Sequence, residues 1–234
     1  MMGGDNLHSE NTIINHFEAY KESLFQEIIT LNSFLKLYVH IRKRRNDRLE
    51  ILNKSPAFFQ LVQESLLSSV IIGIAKIYEK RNRKGRTIFN FLNFIRANYK
   101  VIFNKPAKEK IKTSDGITEQ LFEYQLVQLS DQEPLLNRVF AWRDGSFAHA
   151  DKKYFDDRNI LGEEFPITIR DLRFLIELVA EILNKYEGAY NNSYQSITAT
   201  NVTDIDNILD WLYKVEPYKS DINKMVREQT QNRN

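Results

Sequence analysis

TIRDLRFLIELVAEILNKY, residues 168–186, is the most regular stretch of the chain and decides its class. Leu172, Leu175, Ile176, Val179, Leu183 and Tyr186 recur at the three- and four-residue spacing of one helical face. Thr168 and Asp171 ahead of them form a capping-box pattern. There a hydroxyl accepts from the backbone N–H three residues on, and the later side chain accepts from the cap residue's own N–H.

The same period extends outward in both directions. From Ile13 the positions Ile14, Phe17, Leu24, Ile28 and Leu31, then Phe34, Leu35, Tyr38 and Ile41, mark one long helix running into a basic stretch. A second is predicted from Ser55, with Pro56 at a permitted first-turn position. Its face is Phe59, Val62, Leu66, Leu67, Val70, Ile74 and Ile77, apolar enough to predict the central core helix. Thr87 reads as the N-cap of a short helix holding Ile88, Phe89, Leu92 and Ile95. Polar residues 104–116, containing Pro and ending in Gly, read as an exposed loop.

Helical signal returns over 117–128 and 133–142. A loop follows, holding His149 and the LGEEFP stretch at 161–166. Thr203 and Asp206 repeat the capping pattern before Ile205, Ile208, Leu209 and Leu212. The ends, 1–9 and 219–234, read as flexible, the polar tail fraying. The expectation is one all-α bundle domain over residues 1–234.

Composition narrows the function classes. A chain of 234 residues with 42% hydrophobic and 27% charged residues has ordinary globular proportions. Eight Gly and five Pro are too few for the many tight turns of a sandwich or barrel. A net charge of +2 gives no global field toward nucleic acid, so any such case is local. With no Cys there is no disulfide, thiol nucleophile or thiolate metal site. The start, MMGGDNLHSE, lacks the pattern of a secretory signal. The apolar run 66–75 is about half the ~20 residues that span a bilayer. A soluble, cytoplasmic protein without membrane partners is expected. Phosphate-binding loops, dinucleotide fingerprints and paired His-Glu metal motifs are missing from the sequence.

The chemistry-bearing stretch is WRDGSFAHADKKYF, residues 142–155. Arg143 supplies a permanent, planar cation for phosphate. His149 supplies a group that exchanges protons near neutral pH. Their spacing alone is close to chance for this composition. On a continuous helix the two side chains diverge by ~120°. Gly145 offers an escape: a left-handed glycine ending the helix lets the chain fold back and set His149 beside Arg143. Phe147 and Ala148 would then tuck into the bundle.

WRDGSFAHADKK resembles the signature of the HEPN superfamily, specifically its abortive-infection (AbiU-type) branch. The resemblance rests on Arg143, Asp144, Ala148, His149 and Asp151. Residues 71–92 are similar to the family's second long helix, exit loop and short following helix, and residues 166–186 to the helix after the motif. Coverage runs from Ile13 to Leu212. Glu79 stands where the family suggests aspartate, and Asp144 where asparagine is commoner.

The resemblance implies a HEPN-like antiparallel helical bundle with extra helices. It implies a homodimer that sets two Arg/His motifs against each other, and a metal-independent ribonuclease of phage-defence or toxin–antitoxin systems, with a possible cognate antitoxin. Two His149 side chains would act as base and acid on the 2′-hydroxyl and the leaving 5′-oxygen. Arg143 would neutralise charge on the phosphorane-like transition state, while Asp144, Ser146 or Asp151 would orient these groups. The ends left are a 2′,3′-cyclic phosphate and a 5′-hydroxyl. No cofactor is implied. Some members of the superfamily only bind, which leaves a non-catalytic module for RNA, nucleotide or a partner protein as the alternative.

Three basic clusters are candidates for phosphate neutralisation. They are Arg42, Lys43, Arg44, Arg45 and Arg48; Lys80, Arg81, Arg83, Lys84 and Arg86; and Lys105, Lys108, Lys110 and Lys112. Lys152 and Lys153 add charge beside the motif, and Tyr154 could stack a base or pack on the bundle. Asp151, Asp156 and Asp157 near His149 suggest a metal at first sight, but the interleaved lysines oppose a cation, so no metal is expected. His8, His16 and His40 stand outside any constellation.

Overall fold

The capping box at Thr168 forms as read: its hydroxyl accepts from the Asp171 N–H at 3.1 Å, and the Asp171 carboxylate accepts from the Thr168 N–H at 2.8 Å. The computed structural model describes residues 4–82, 84–103, 117–148 and 158–231. Among them the secondary structure is helical, without a strand. In chain order the helices are Gly4–Arg44 (α1), Leu49–Leu52 (α2), Pro56–Ile77 (α3), Ile88–Ile102 (α4), Glu119–Ser130 (α5) and Glu133–Trp142 (α6). A π-helical segment, Arg143–Ala148, continues α6. Then come Arg158–Glu164 (α7), Ile169–Asn191 (α8), Asp204–Val215 (α9), a 3₁₀ turn Glu216–Tyr218, and Lys219–Gln231 (α10).

Three elements pack along α1, the 41-residue spine. Helix α3 runs antiparallel to it, with Leu31 against Gly73 and Glu27 beside Lys76. A Cβ on Gly73 would lie 2.4 Å from Leu31 Cδ2, so the bare glycine is what admits the close approach of these helices. Helix α4 packs through rings, Phe17 stacking on Phe91 and Tyr20 meeting Phe91 edge to face. Its start is fixed as the sequence suggests, the Thr87 hydroxyl accepting from the Asn90 N–H at 3.2 Å. Helix α8 is held to α1 by a buried Lys21–Glu187 ion pair and by Tyr190 Oη–H donating to Glu18 at 2.8 Å. One large core results. A smaller one, of Ile41, Ile51, Leu52, Phe59 and Leu209, joins the end of α1 to α2, the start of α3 and α9.

Several expectations need correction. Helix α3 is long and apolar enough to cross a bilayer by length and composition, yet its burial is uneven. The second half, from Val70 to Ile77, enters the main core, while Phe58 and Leu61 near its start are exposed. It is a core helix along its length, Phe59 entering the smaller core and Val70 to Ile77 the main one, but the flank carrying Phe58 and Leu61 stays uncovered. Gly145 does not end a helix in a left-handed turn, since no glycine among the described residues has positive φ. The chain widens instead into π-helical bonding, as happens where a residue must be absorbed without breaking the helix. The LGEEFP stretch is not all loop: LGEE lies in α7, where Leu161 is fully buried and supplies the packing that outweighs Gly162.

The second capping box does not form. Thr203 Oγ1 donates to Asn201, and Asp206 is taken by Arg44 and His40. Charge-assisted long-range bonds outcompete a local cap. Helical backbone also runs through residues 4–9 and 219–231. The tail's Lys, Asn, Met, Arg, Glu and Gln residues include enough good helix formers to carry an exposed helix. The loop predicted over 104–116 lies outside the described residues.

Candidate functional site

Helix α3 ends at Ile77, and the next residue, Tyr78, turns the chain out of the helix with its N–H bonded to the Ile74 carbonyl at 3.0 Å. Tyr78 is itself buried, its hydroxyl donating to the Leu175 carbonyl of α8 at 2.8 Å. Burial pushes that phenol far above its ordinary range. It serves as a fixed peg, and it delivers Glu79 to the end of α6.

There Arg143 begins the π-helical segment, which packs against α3. Arg143 Nη1–H donates to Glu79 Oε2 at 3.0 Å. Nε–H and Nη2–H donate to the two Asp144 carboxylate oxygens at 2.6 and 3.1 Å. Its guanidinium also lies 5.0 Å from the Phe140 ring centre. The side chain is only 26% exposed, so it sits in a niche with one side open. Hydrogen bonding to Asp144 first, and then to Glu79, raises its pKa further against the opposing effect of burial, so it is a cation at any working pH.

These groups line a cavity of about 380 Å³ together with Lys80, Arg81, Glu133, Leu136 and Asn137. Among the described residues three cations (Lys80, Arg81, Arg143) face three carboxylates (Glu79, Glu133, Asp144), so this part of the lining is charge-balanced rather than basic. Lys80 is 3.7 Å from Glu133 and lies over the Phe89 ring. The Arg81 N–H donates to Glu79 Oε1 at 3.2 Å. Glu79 therefore binds Arg143 with one oxygen and fixes the following turn with the other.

The sequence candidates separate on this geometry. Arg143, Asp144 and Arg81 meet at the cavity. Lys84 is exposed outside its lining, and Arg86 lines a different recess with Ser23, Glu27 and Lys76. Ser146 and the Phe147–Ala148 pair lie in the π-helical segment, but their side chains are outside the described atoms. His149, Asp151, Lys152, Lys153, Tyr154 and Arg83 lie outside the described residues, as do the lysines of the 104–116 cluster. In the first basic cluster, Arg44 pairs with Asp206 and Asp47, and Arg48 with Asp210, leaving Arg42, Lys43 and Arg45 on the surface.

Residues the sequence reading did not single out are Tyr78, Glu133, Asn137 and Phe140. Glu79 was noticed only as a departure from a pattern. Its position directly after the apolar run of α3 was the one available signal. Flanking bonds hold the segment's anchor: Trp142 Nε1–H donates to the Phe165 carbonyl and Arg138 to the Pro166 carbonyl, both at 2.8 Å.

A family profile described as AbiU2, of HEPN type, matches residues 14–213. No curated protein and no solved structure matches the chain.

Proposed function

The chain belongs to the AbiU2 family of HEPN proteins, and from that membership we propose that it is a metal-independent endoribonuclease acting in abortive infection or a toxin–antitoxin system. The observation that carries the reading is the Arg143 niche, a guanidinium with one open side at the mouth of a cavity. In this reading the open side takes a non-bridging phosphate oxygen of RNA. As the 2′-oxygen attacks, negative charge accumulates on the phosphorus oxygens, and a cation already held in place stabilises it without reorganisation. His149 removes the 2′-hydroxyl proton, and a second His149, from another copy, protonates the departing 5′-oxygen. The products are a 2′,3′-cyclic phosphate and a 5′-hydroxyl.

The balanced walls of the cavity favour a second reading. Two carboxylates already take three of the five Arg143 N–H groups, so an entering phosphate competes with Glu79 and Asp144. A module that holds RNA, nucleotide or a partner protein without cutting fits that arrangement. Incubating the protein with total RNA in EDTA, beside Arg143→Ala and His149→Ala, separates the two. Cleavage by the parent and its loss in both variants supports the nuclease. RNA binding without cleavage, persisting in His149→Ala, selects the binding module.

A further inference from the structure

Helix α9, the 3₁₀ turn and α10 form one uninterrupted helical run over residues 204–231. Val215, Glu216 and Lys219 keep right-handed helical φ and ψ across the junctions. One face of α9 is used internally: Leu209 is buried in the small core, and Asp206 and Asp210 pair with Arg44 and Arg48. The other face carries Ile208, Trp211, Val215, Tyr218, Ile222 and Met225. All six are exposed, from 37% at Ile222 to 70% at Trp211.

Their intervals are three, four, three, four and three, the a/d alternation of a helix-pairing seam. On a straight α-helix such a stripe drifts by ~20° per heptad, or roughly 50° from Ile208 to Met225. The three residues of the 3₁₀ turn are wound at ~120° each rather than ~100°, which restores roughly 60°. The turn at Pro217 thus keeps the stripe on one side of the rod.

We infer that this stripe is a pairing surface for the same stripe of a second copy of the chain, the two helical rods lying antiparallel. Antiparallel pairing sets Ile208 against Met225, Trp211 against Ile222 and Val215 against Tyr218 of the second copy, an a position facing a d position in every layer. The flanking charges select this direction. Lys214 and Asp221 both occupy g positions, and antiparallel rods bring Lys214 of each copy to Asp221 of the other. Parallel rods would set Lys214 against Lys219. The area is sufficient. With side chains on the order of 200 Å² each, the six exposures leave roughly 600 Å² per copy, the lower bound for a specific interface.

This surface is separate from the Arg143 cavity. It adjoins the start of α3, where Phe58, Ile208 and Leu212 line a groove, whereas Arg143 stands by Tyr78 at the helix's far end, ~30 Å away. The part of the run past residue 213 also lies beyond the family match.

The test is the mass of the full chain in solution by light scattering, compared with Trp211→Asp/Ile222→Asp, with circular dichroism confirming retained helicity. The mass of the parent should halve in the variant. The chain has no cysteine, so Ile208→Cys/Met225→Cys reports direction cleanly. A covalent dimer under mild oxidation from the double variant, and none from Ile208→Cys alone, is expected. A monomeric parent, an unchanged mass in a folded Trp211→Asp/Ile222→Asp protein, or cross-linking by Ile208→Cys alone would overturn the proposal. None of these readouts depends on RNA cleavage: an unchanged mass in the folded variant leaves the nuclease reading to its own test, whereas a monomeric parent would also count against the second His149 that reading calls for.

Discussion

Glu79 Oε2 accepts a hydrogen bond from Arg143 Nη1 at 3.0 Å, joining the end of α3 to the start of the π-helical segment across 64 positions of sequence. The pair fixes where the guanidinium points, and it also places an anion where a phosphate would go. Orientation and competition pull in opposite directions, which makes substitutions at Glu79 informative.

Glu79→Gln keeps a hydrogen-bond acceptor and removes the competing charge. Binding of a short, non-cleavable RNA should tighten about fivefold at low salt, the equivalent of about 1 kcal/mol, the upper end for a surface ion pair. Fluorescence anisotropy checks it. Weaker binding would show that Glu79 serves only to position Arg143.

Asp144→Asn retains one acceptor for Arg143 Nε–H, which Asp144→Ala does not. Cleavage by the Asn variant should stay within about threefold of the parent, and that of the Ala variant should fall at least about tenfold. Equal losses in both would mean that the charge at this position, rather than the hydrogen bond, matters.

The helical scaffold was legible because its signals are local. The Thr168–Asp171 box, the Thr87 cap and the span of α6 all depend on residues within a few positions of one another. What escaped was decided at a distance. Asp206 reads as a cap from its neighbours, but Arg44 and His40, about 160 residues earlier, claim it. Gly145 reads as a helix stop, but packing of the segment against α3 keeps the chain helical. Of the candidate site, the neighbours Arg143 and Asp144 were legible as a pair. The Arg143 partner Glu79 was not, because nothing local links the end of one helix to the end of another.

The Lys21–Glu187 pair is buried, with Lys21 Nζ also 5.3 Å from the Phe17 and Tyr190 ring centres. Burial alone would raise the Glu187 pKa, but hydrogen bonds from Lys21, Ser193 and Asn191 outweigh it and hold the carboxyl below its ordinary range. Lys21→Met should cost about 3–5 kcal/mol by leaving the carboxylate unpaired. Lys21→Met/Glu187→Leu should recover most of that loss. Urea unfolding measures both, and a double variant no better than the single one would contradict the account.

Asp206 joins α9 to the end of α1. Hydrogen bonding from Arg44, then from His40, lowers its pKa to about 2 against the opposing effect of burial. A depressed carboxylate stabilises the fold fully above its unfolded pKa of about 3.9, and the contribution disappears as pH falls through the folded value. The melting-temperature gap between the parent and Asp206→Asn should therefore be constant above about pH 5 and close between about pH 4 and 2. A gap that widens on acidification would contradict the ion-pair assignment.

The central claim, that Arg143 and His149 cleave RNA through its own 2′-hydroxyl, is tested most directly on a defined oligonucleotide in EDTA, with the product ends identified by mass. The account predicts 2′,3′-cyclic phosphate and 5′-hydroxyl ends, no cleavage at a site carrying a 2′-deoxyribose, and a rate about 10²–10³-fold lower for Arg143→Ala. Cleavage that survives the 2′-deoxy substitution, or an RNA left intact by the parent protein, would contradict it.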